Sequence, residues 1–268
     1  MRTIDRRLYA LVLLLLLTGC ATVGQAPAVP EARAALAPTG KLRVGLYLGN
    51  PLSVVRDPAT QEMKGMSLEL GREMARRLGV PFEPVIFPSV GAVMDATKSG
   101  QWDIAFFLVN PARVKDVDFS PAIVELELGY LVAQGSSIAT LADVDRKGVR
   151  VAVTEKSQAD VLLSASLKQV SLVRAQSLPA MVQRVKAGEA DAIAANKTIL
   201  HELSAQLQGS RILDGRFAAE RLAMAIPKGR DAGVAYARQF VQQAKSEGLV
   251  RAALERAGAR GAVVAPME

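Results

Sequence analysis

Cysteine and histidine each occur once in 268 residues, tryptophan occurs once, and aromatic side chains make up 4% of the chain. A single cysteine has no internal partner, so a disulfide framework is excluded. One histidine with one cysteine is poor material for a zinc site or for a nucleophile and its base, so no metal and no cofactor is expected. The few aromatics are not interleaved with clusters of Lys and Arg, which leaves no means to stack bases and neutralise phosphates, so a nucleic-acid partner is not expected. What is present is apolar: half of the residues, enough at this length for a full core and an ordered globular body.

The apolar run at residues 8–17 follows a basic end made by Arg2, Arg6 and Arg7, and it falls short of the roughly 20 residues that cross a bilayer. Residues 1–19 therefore read as an export signal. Leu17-Thr18-Gly19-Cys20 resembles the bacterial lipobox, in which cleavage precedes the cysteine and that cysteine carries a lipid. The expectation is a protein lipidated at Cys20 and held to a membrane on the periplasmic side. Ala21, in place of an aspartate, favours the outer membrane over the inner. Residues 20–40, rich in Ala and Pro and without periodicity, read as a linker, with the folded part starting near Lys41. Removing three arginines and one aspartate with the signal takes the net charge from +7 to +5, a modest bias towards anionic ligands or a membrane surface.

From Lys41 onward, short apolar runs alternate with segments of helical period, the pattern of an α/β fold with largely parallel strands. Residues 42–48 read as a strand ended by Gly49-Asn50-Pro51. Met66, Leu70, Met74 and Leu78 recur every four residues on one helix face, and Gly79 follows as a left-handed cap. Residues 81–87 form a second strand, residues 89–99 a helix, and residues 102–107 a strand buried on both faces.

Residues 89–103 align without gaps on residues 177–191, with Ser, Ala, Lys, Gly and Asp coinciding. Each copy reads as an N-capping serine, a helix, a glycine that stops it and an aspartate opening a strand. Two similar lobes would place the copies so. Between them, residues 124–132 alternate, with Glu125 and Glu127 on the face opposite Val124, Leu126 and Leu128. Residues 221–227 make a comparable strand. These two segments are taken as the crossings between a discontinuous first lobe (41–128 plus 223–268) and a second lobe (129–222). Helices over 232–246 and 249–257 return to the first lobe.

Taken together, Leu42-Arg43-Val44-Gly45, the stretch 65–80, Gly100-Gln101-Trp102-Asp103, Pro111-Ala112-Arg113, residues 117–121, 148–153, 188–193 and 223–229 resemble the family 3 extracellular solute-binding proteins. These are type II periplasmic binding proteins of amino-acid importers. The resemblance implies a two-lobed α/β fold with two crossing strands and a ligand in the central cleft. It implies a partner too, an ABC permease or a membrane sensor, and a monomer.

The resemblance also assigns candidate ligand contacts. Arg113 stands where relatives place an arginine that forks onto the ligand's carboxylate, a match of planar donors to two oxygens. Asn110 stands where a threonine is usual, and serves either the same ligand group or the cap of the turn begun by Pro111. Ser157 corresponds to the Ser or Thr at a helix start where backbone N–H groups favour an anion. Lys156 replaces the usual glycine before it. Asn196 replaces an aspartate that pairs with the ligand's ammonium. Either Glu125 or Glu127 supplies that missing anion, or the ligand lacks an ammonium, or both glutamates are a solvated strand face. Tyr47 and Asn50 reach the cleft from the end of the first strand. His201 reads as a helix-edge residue.

A binder of a small carboxylate-bearing ligand, closing its lobes without chemistry, is the favoured function. The alternatives are an enzyme on the same fold, such as a cyclohexadienyl dehydratase with Glu125 or Glu127 as acid or base, and an adaptor that takes no ligand.

Overall fold

The computed structural model describes residues 29–268 apart from Pro58, so Cys20 and the export signal lie outside the described residues. The chain runs α1 (Val29–Leu36), β1 (Leu42–Tyr47), β2 (Val55–Arg56), β3 (Met63–Lys64), α2 (Met66–Leu78), β4 (Phe82–Phe87), α3 (Val90–Asp95), β5 (Ile104–Leu108), α4 (Pro111–Val114) and a long β6 (Val117–Val132). It continues with β7 (Arg150–Thr154), α5 (Gln158–Ser166), β8 (Ser171–Ala175), α6 (Leu178–Lys186), β9 (Ala192–Asn196), α7 (Lys197–Ser204) and β10 (Arg211–Ile212). Then come β11 (Ala218–Pro227), α8 (Asp231–Ser246), α9 (Leu249–Ala257) and β12 (Ala262–Val264).

The main sheet has the order β4-β1-β5-β11-β6-β9-β7-β8, with β10 and β12 also pairing with β6. In one half β4 and β5 flank β1 in parallel; in the other β8 and β9 flank β7 in parallel. The halves are joined by β6 and β11, antiparallel from Val117 opposite Pro227 to Leu128 opposite Ala218. Both crossing strands start earlier than the sequence pattern indicated. β12 was not anticipated at all.

Alternation along each strand feeds apolar side chains to both faces. In the first half Ile104 and Phe106 join Val44, Leu46, Met66, Leu70, Met74 and Leu78 on one face. Ala105 and Phe107 join Val93 and Trp102 on the other. In the second half Val151 and Val153 face one apolar layer, and Ala152 and Ile193 the other. None of these buried clusters draws from both halves. Along β6 the cluster of the first half ends at Leu126 and that of the second begins at Tyr130, with Leu128 buried between them outside both, and on β11 the first cluster takes up at Leu222.

The aligned segments 89–103 and 177–191 fold alike. Ser89 and Ser177 cap α3 and α6 by accepting the N–H of Ala92 (3.2 Å) and Ala180 (3.3 Å). Gly100 and Gly188 turn the chain at φ 61° and 68°, a region L side chains disfavour. An arginine from the neighbouring strand then latches each turn. Arg43 donates its backbone N–H and two guanidinium N–H groups to Asp103 at 2.8–3.0 Å, and a third to the Gly100 carbonyl at 2.7 Å. Arg150 does the same to Asp191 at 2.7–3.1 Å and to Gly188 at 2.6 Å.

The expected linker needs correction. Residues 29–36 form α1, with Ala32 and Leu36 fully buried one turn apart. Its alanines favour helix, and Pro30 sits in the first turn where its missing N–H costs nothing. Arg33 Nε donates to the Leu78 carbonyl at the end of α2 (2.9 Å). Leu36 packs where a Cβ on Gly233 of α8 would stand 2.7 Å from its Cδ2, so a larger residue there would have to push the leucine aside.

Two outcomes follow from burial. The Asp103 side chain is fully buried and also accepts from Arg230 (3.0 Å), whereas that of Asp191 is 32% exposed. In urea unfolding, Asp103→Asn should cost about 3 kcal/mol or more and Asp191→Asn about 1 kcal/mol or less; equal losses would show that burial does not decide. Leu36→Ala should cost about 2 to 5 kcal/mol if α1 belongs to the folded body, and no measurable change would return it to the linker.

Candidate ligand-binding site

The gap in the core coincides with the carboxyl ends of β5 and β9, since Leu108 lies opposite Leu222 of β11 and Asn196 opposite Leu128 of β6. Ligands of open α/β sheets gather outside such strand ends.

From the first half, β1 ends at Tyr47, whose hydroxyl accepts from Asn50 Nδ2 at 3.0 Å. Asn50 Oδ1 in turn accepts the N–H of Leu52 (2.8 Å), so Asn50 shapes the loop and holds the phenol at once. After β5, Asn110 caps α4, its side chain accepting the N–H of Arg113 at 3.1 Å. This is the capping alternative of the two that the sequence left open. Arg113 is half-buried; its Nη1 donates to the Leu108 carbonyl at 2.7 Å, and its guanidinium carbon lies 5.4 Å from the centre of the Phe107 ring. Among the described residues no carboxylate forms an ion pair with it.

From the second half comes Asn196, which caps α7 through the N–H of Ile199 (3.0 Å) and donates Nδ2 to Glu220 Oε2 at 3.4 Å. Glu220 is the residue the sequence reading missed. It lies on β11 within the gap in the core, partly buried. Burial lowers the pKa of Arg113, against the opposing pull of Tyr47 and Glu220. Burial raises that of Glu220, against the Asn196 hydrogen bond and the Arg113 charge, and raises that of Tyr47 against Arg113. Tyr47, Arg113, Glu220 and Asn196 thus form one electrostatic group.

Glu125 and Glu127 are not in it. The register places Glu220 beside Leu126 on one face of the β6–β11 pair, and Arg221 beside Glu125 and Ala219 beside Glu127 on the other. There Arg216 Nη1 holds Glu125 at 2.6 Å and Lys197 Nζ holds Glu127 at 2.7 Å. Glu125 is buried, not part of a solvated face, and both carboxylates are already paired.

Ser157 caps α5, accepting the N–H of Asp160 at 3.2 Å. The anion place at this helix start is taken by Asp160, which receives the Lys156 N–H at 2.9 Å and pairs with Arg174 at 3.0 Å. Lys156 adopts φ 60°, the left-handed region that glycine favours, with its side chain exposed. No hydrogen bond or ion pair joins Ser157 to the Arg113 group. His201 is half-buried on α7, and among the described residues no cluster of His, Cys, Asp and Glu could hold a metal ion.

Residues 42–257 match the model of the bacterial extracellular solute-binding proteins, family 3. The chain belongs to that family. As a family 3 solute-binding protein it is of an extracellular or periplasmic class. It is 22% identical over 250 residues to the ABC transporter glutamine-binding protein of Bacillus subtilis (strain 168), covering 90% of this chain and 91% of that one. An amino acid ABC transporter substrate-binding protein from Streptococcus pneumoniae Canada MDR_19A bound to L-arginine superposes with a TM-score of 0.61 at 19% identity, over 87% of this chain and 99% of that one. An ancestral cyclohexadienyl dehydratase gives 0.57 at 24%, over 86% and 96%. At these identities the structures show the fold, that of a two-lobed type II periplasmic binding protein.

A carboxyl whose pKa is raised by folding destabilises the folded state above that pKa and ceases to do so as pH falls through it. Glu220→Gln should therefore raise the Tm of this ligand-free solute-binding protein at pH 7 to 8. The gain should shrink as pH drops towards the ordinary carboxylate range; a Tm lowered at every pH would contradict the strain assigned to Glu220.

Proposed function

We propose that this family 3 protein captures a small amino acid between its lobes, the first made of residues 41–128 plus 223–268 together with α1 and the second of residues 129–222, and hands it unaltered to an ABC importer or a sensor in the membrane. One observation carries the reading: the half-buried Arg113 guanidinium, fixed by the Leu108 carbonyl and the Phe107 ring, has no carboxylate ion pair among the described residues. A ligand carboxylate would complete it with charge-assisted hydrogen bonds. The glutamine and arginine named for the relatives above support an amino acid as the solute class. A ligand touching both lobes favours the closed arrangement by its extra affinity for that state.

The pairing of Glu125 and Glu127 with Arg216 and Lys197 takes up the two carboxylates that the sequence offered for acid or base work, which supports capture without chemistry by that pair. Lipidation at Cys20 would keep a monomeric receptor at the periplasmic face of a membrane, the outer one by the alanine that follows the cysteine.

The test is ligand identification. Small molecules released on denaturing the detergent-purified full chain are identified by mass spectrometry and returned to it in a thermal-shift titration. An amino acid should raise Tm, and Arg113→Ala should weaken its binding by roughly 10- to 150-fold. Unchanged binding in Arg113→Ala would end this reading, and conversion of prephenate or arogenate to product would replace it with an enzyme.

A further inference from the structure

The Arg113 group holds two opposite charges that do not neutralise each other. Arg113 has no carboxylate within ion-pair distance, and among the described residues Glu220 has no cation within 4.0 Å. Arg113 is tied to the Leu108 carbonyl, Leu108 lies opposite Leu222, and the Val109 N–H donates to the carbonyl of Arg221, so Glu220 follows on β11 just past the end of β5 without contacting Arg113. The single hydrogen bond to the Glu220 carboxylate comes from a neutral amide, Asn196 Nδ2, at a long 3.4 Å. Leaving a charge in a half-dry place without a partner is costly, and such a group persists where something else pairs with it.

The other carboxylates of the crossing region are excluded. Glu125 and Glu127 leave the opposite face of the β6–β11 pair and are taken by Arg216 and Lys197. Glu220 is therefore the carboxylate of the crossing region that shares the group with Arg113, and a molecule carrying a negative end and a positive end would pair with both.

We infer that Glu220 receives the ammonium of a zwitterionic ligand whose carboxylate is held by Arg113, with Asn196 orienting the Glu220 carboxylate. The inference rests on the binding reading above and names the group that reading leaves open. It also explains how a neutral Asn196 is compatible with an amine-bearing ligand: the negative charge stands on the crossing strand β11 and is braced by an amide from the other half. Contact of the ammonium with Glu220 and Asn196 together would then join the crossing strand and the second half at one point.

The experiment titrates the detergent-purified full chain, by isothermal calorimetry, with the L-amino acids and with the corresponding acids lacking the amino group. Wild type should prefer an amino acid over its deaminated counterpart by about 30-fold or more. Glu220→Gln should abolish most of that preference by weakening the amino acid alone. Glu220→Asp, which keeps the charge on a shorter stem, should retain it. Restoration of the preference by Asn196→Asp in the Glu220→Gln background would support ammonium pairing at this point of the cleft. An amino acid that binds with the same preference in Glu220→Gln, or a Glu220→Asp variant that loses it, overturns this inference and leaves the binding function standing. Failure of the wild type to bind any amino acid or deaminated acid overturns the binding function itself.

Discussion

The hydrogen-bonded pairing of β6 with β11 is the constraint on which the rest of the structure depends. A strand of sixteen residues passes through both halves, and its antiparallel partner runs beside it across the place where the apolar clusters stop. Backbone hydrogen bonds bridge that place, where Leu128 is the buried apolar side chain between the clusters. Bending about such a line would keep the ladder and disturb fewer packed side chains than separating two packed layers. The ion pairs of Glu125 and Glu127 brace one face of this ribbon; Glu220 and Asn196 occupy the other.

Each half has its own fastening. The Arg43–Asp103 and Arg150–Asp191 latches fasten the start of a central strand to the turn that opens its parallel neighbour, in matching register: Val44 opposite Ile104, Val151 opposite Ala192. The copies differ in what surrounds them. Asp103 is sealed beneath a second arginine at the start of α8, whereas Asp191 meets solvent. The first half is thereby tied to the C-terminal helices, and the second stands as a smaller unit on the ribbon.

Much of this was legible in the sequence because it rests on local signals. The four-residue recurrence of Met66, Leu70, Met74 and Leu78 marked a helix face, and the spacing from Ser89 to Asp103 marked a cap, a turn and a strand that recur at 177–191. What was not legible depends on partners remote in the chain. Helix α1 is short, and the approach of Leu36 to Gly233 that secures it spans nearly two hundred residues. The alternation placing Glu125 and Glu127 on one face was correct, but which face borders the gap is decided by register with β11. For the same reason Glu220, between Ala219 and Arg221, carries no local sign of its role. The capping positions of Asn110 and Ser157 were visible in the sequence, whereas that of Asn196 was not; their standing as ligand contacts rests on the proposed function.

Helix α1 also has a geometric consequence for a protein attached at Cys20. Nine peptide steps separate Cys20 from Val29, a reach of at most about 30 Å even fully stretched, against about 70 Å had the folded body begun at Lys41. Under the lipidation proposed above, that shorter tether would keep the half bearing α1 within about 30 Å of the anchor.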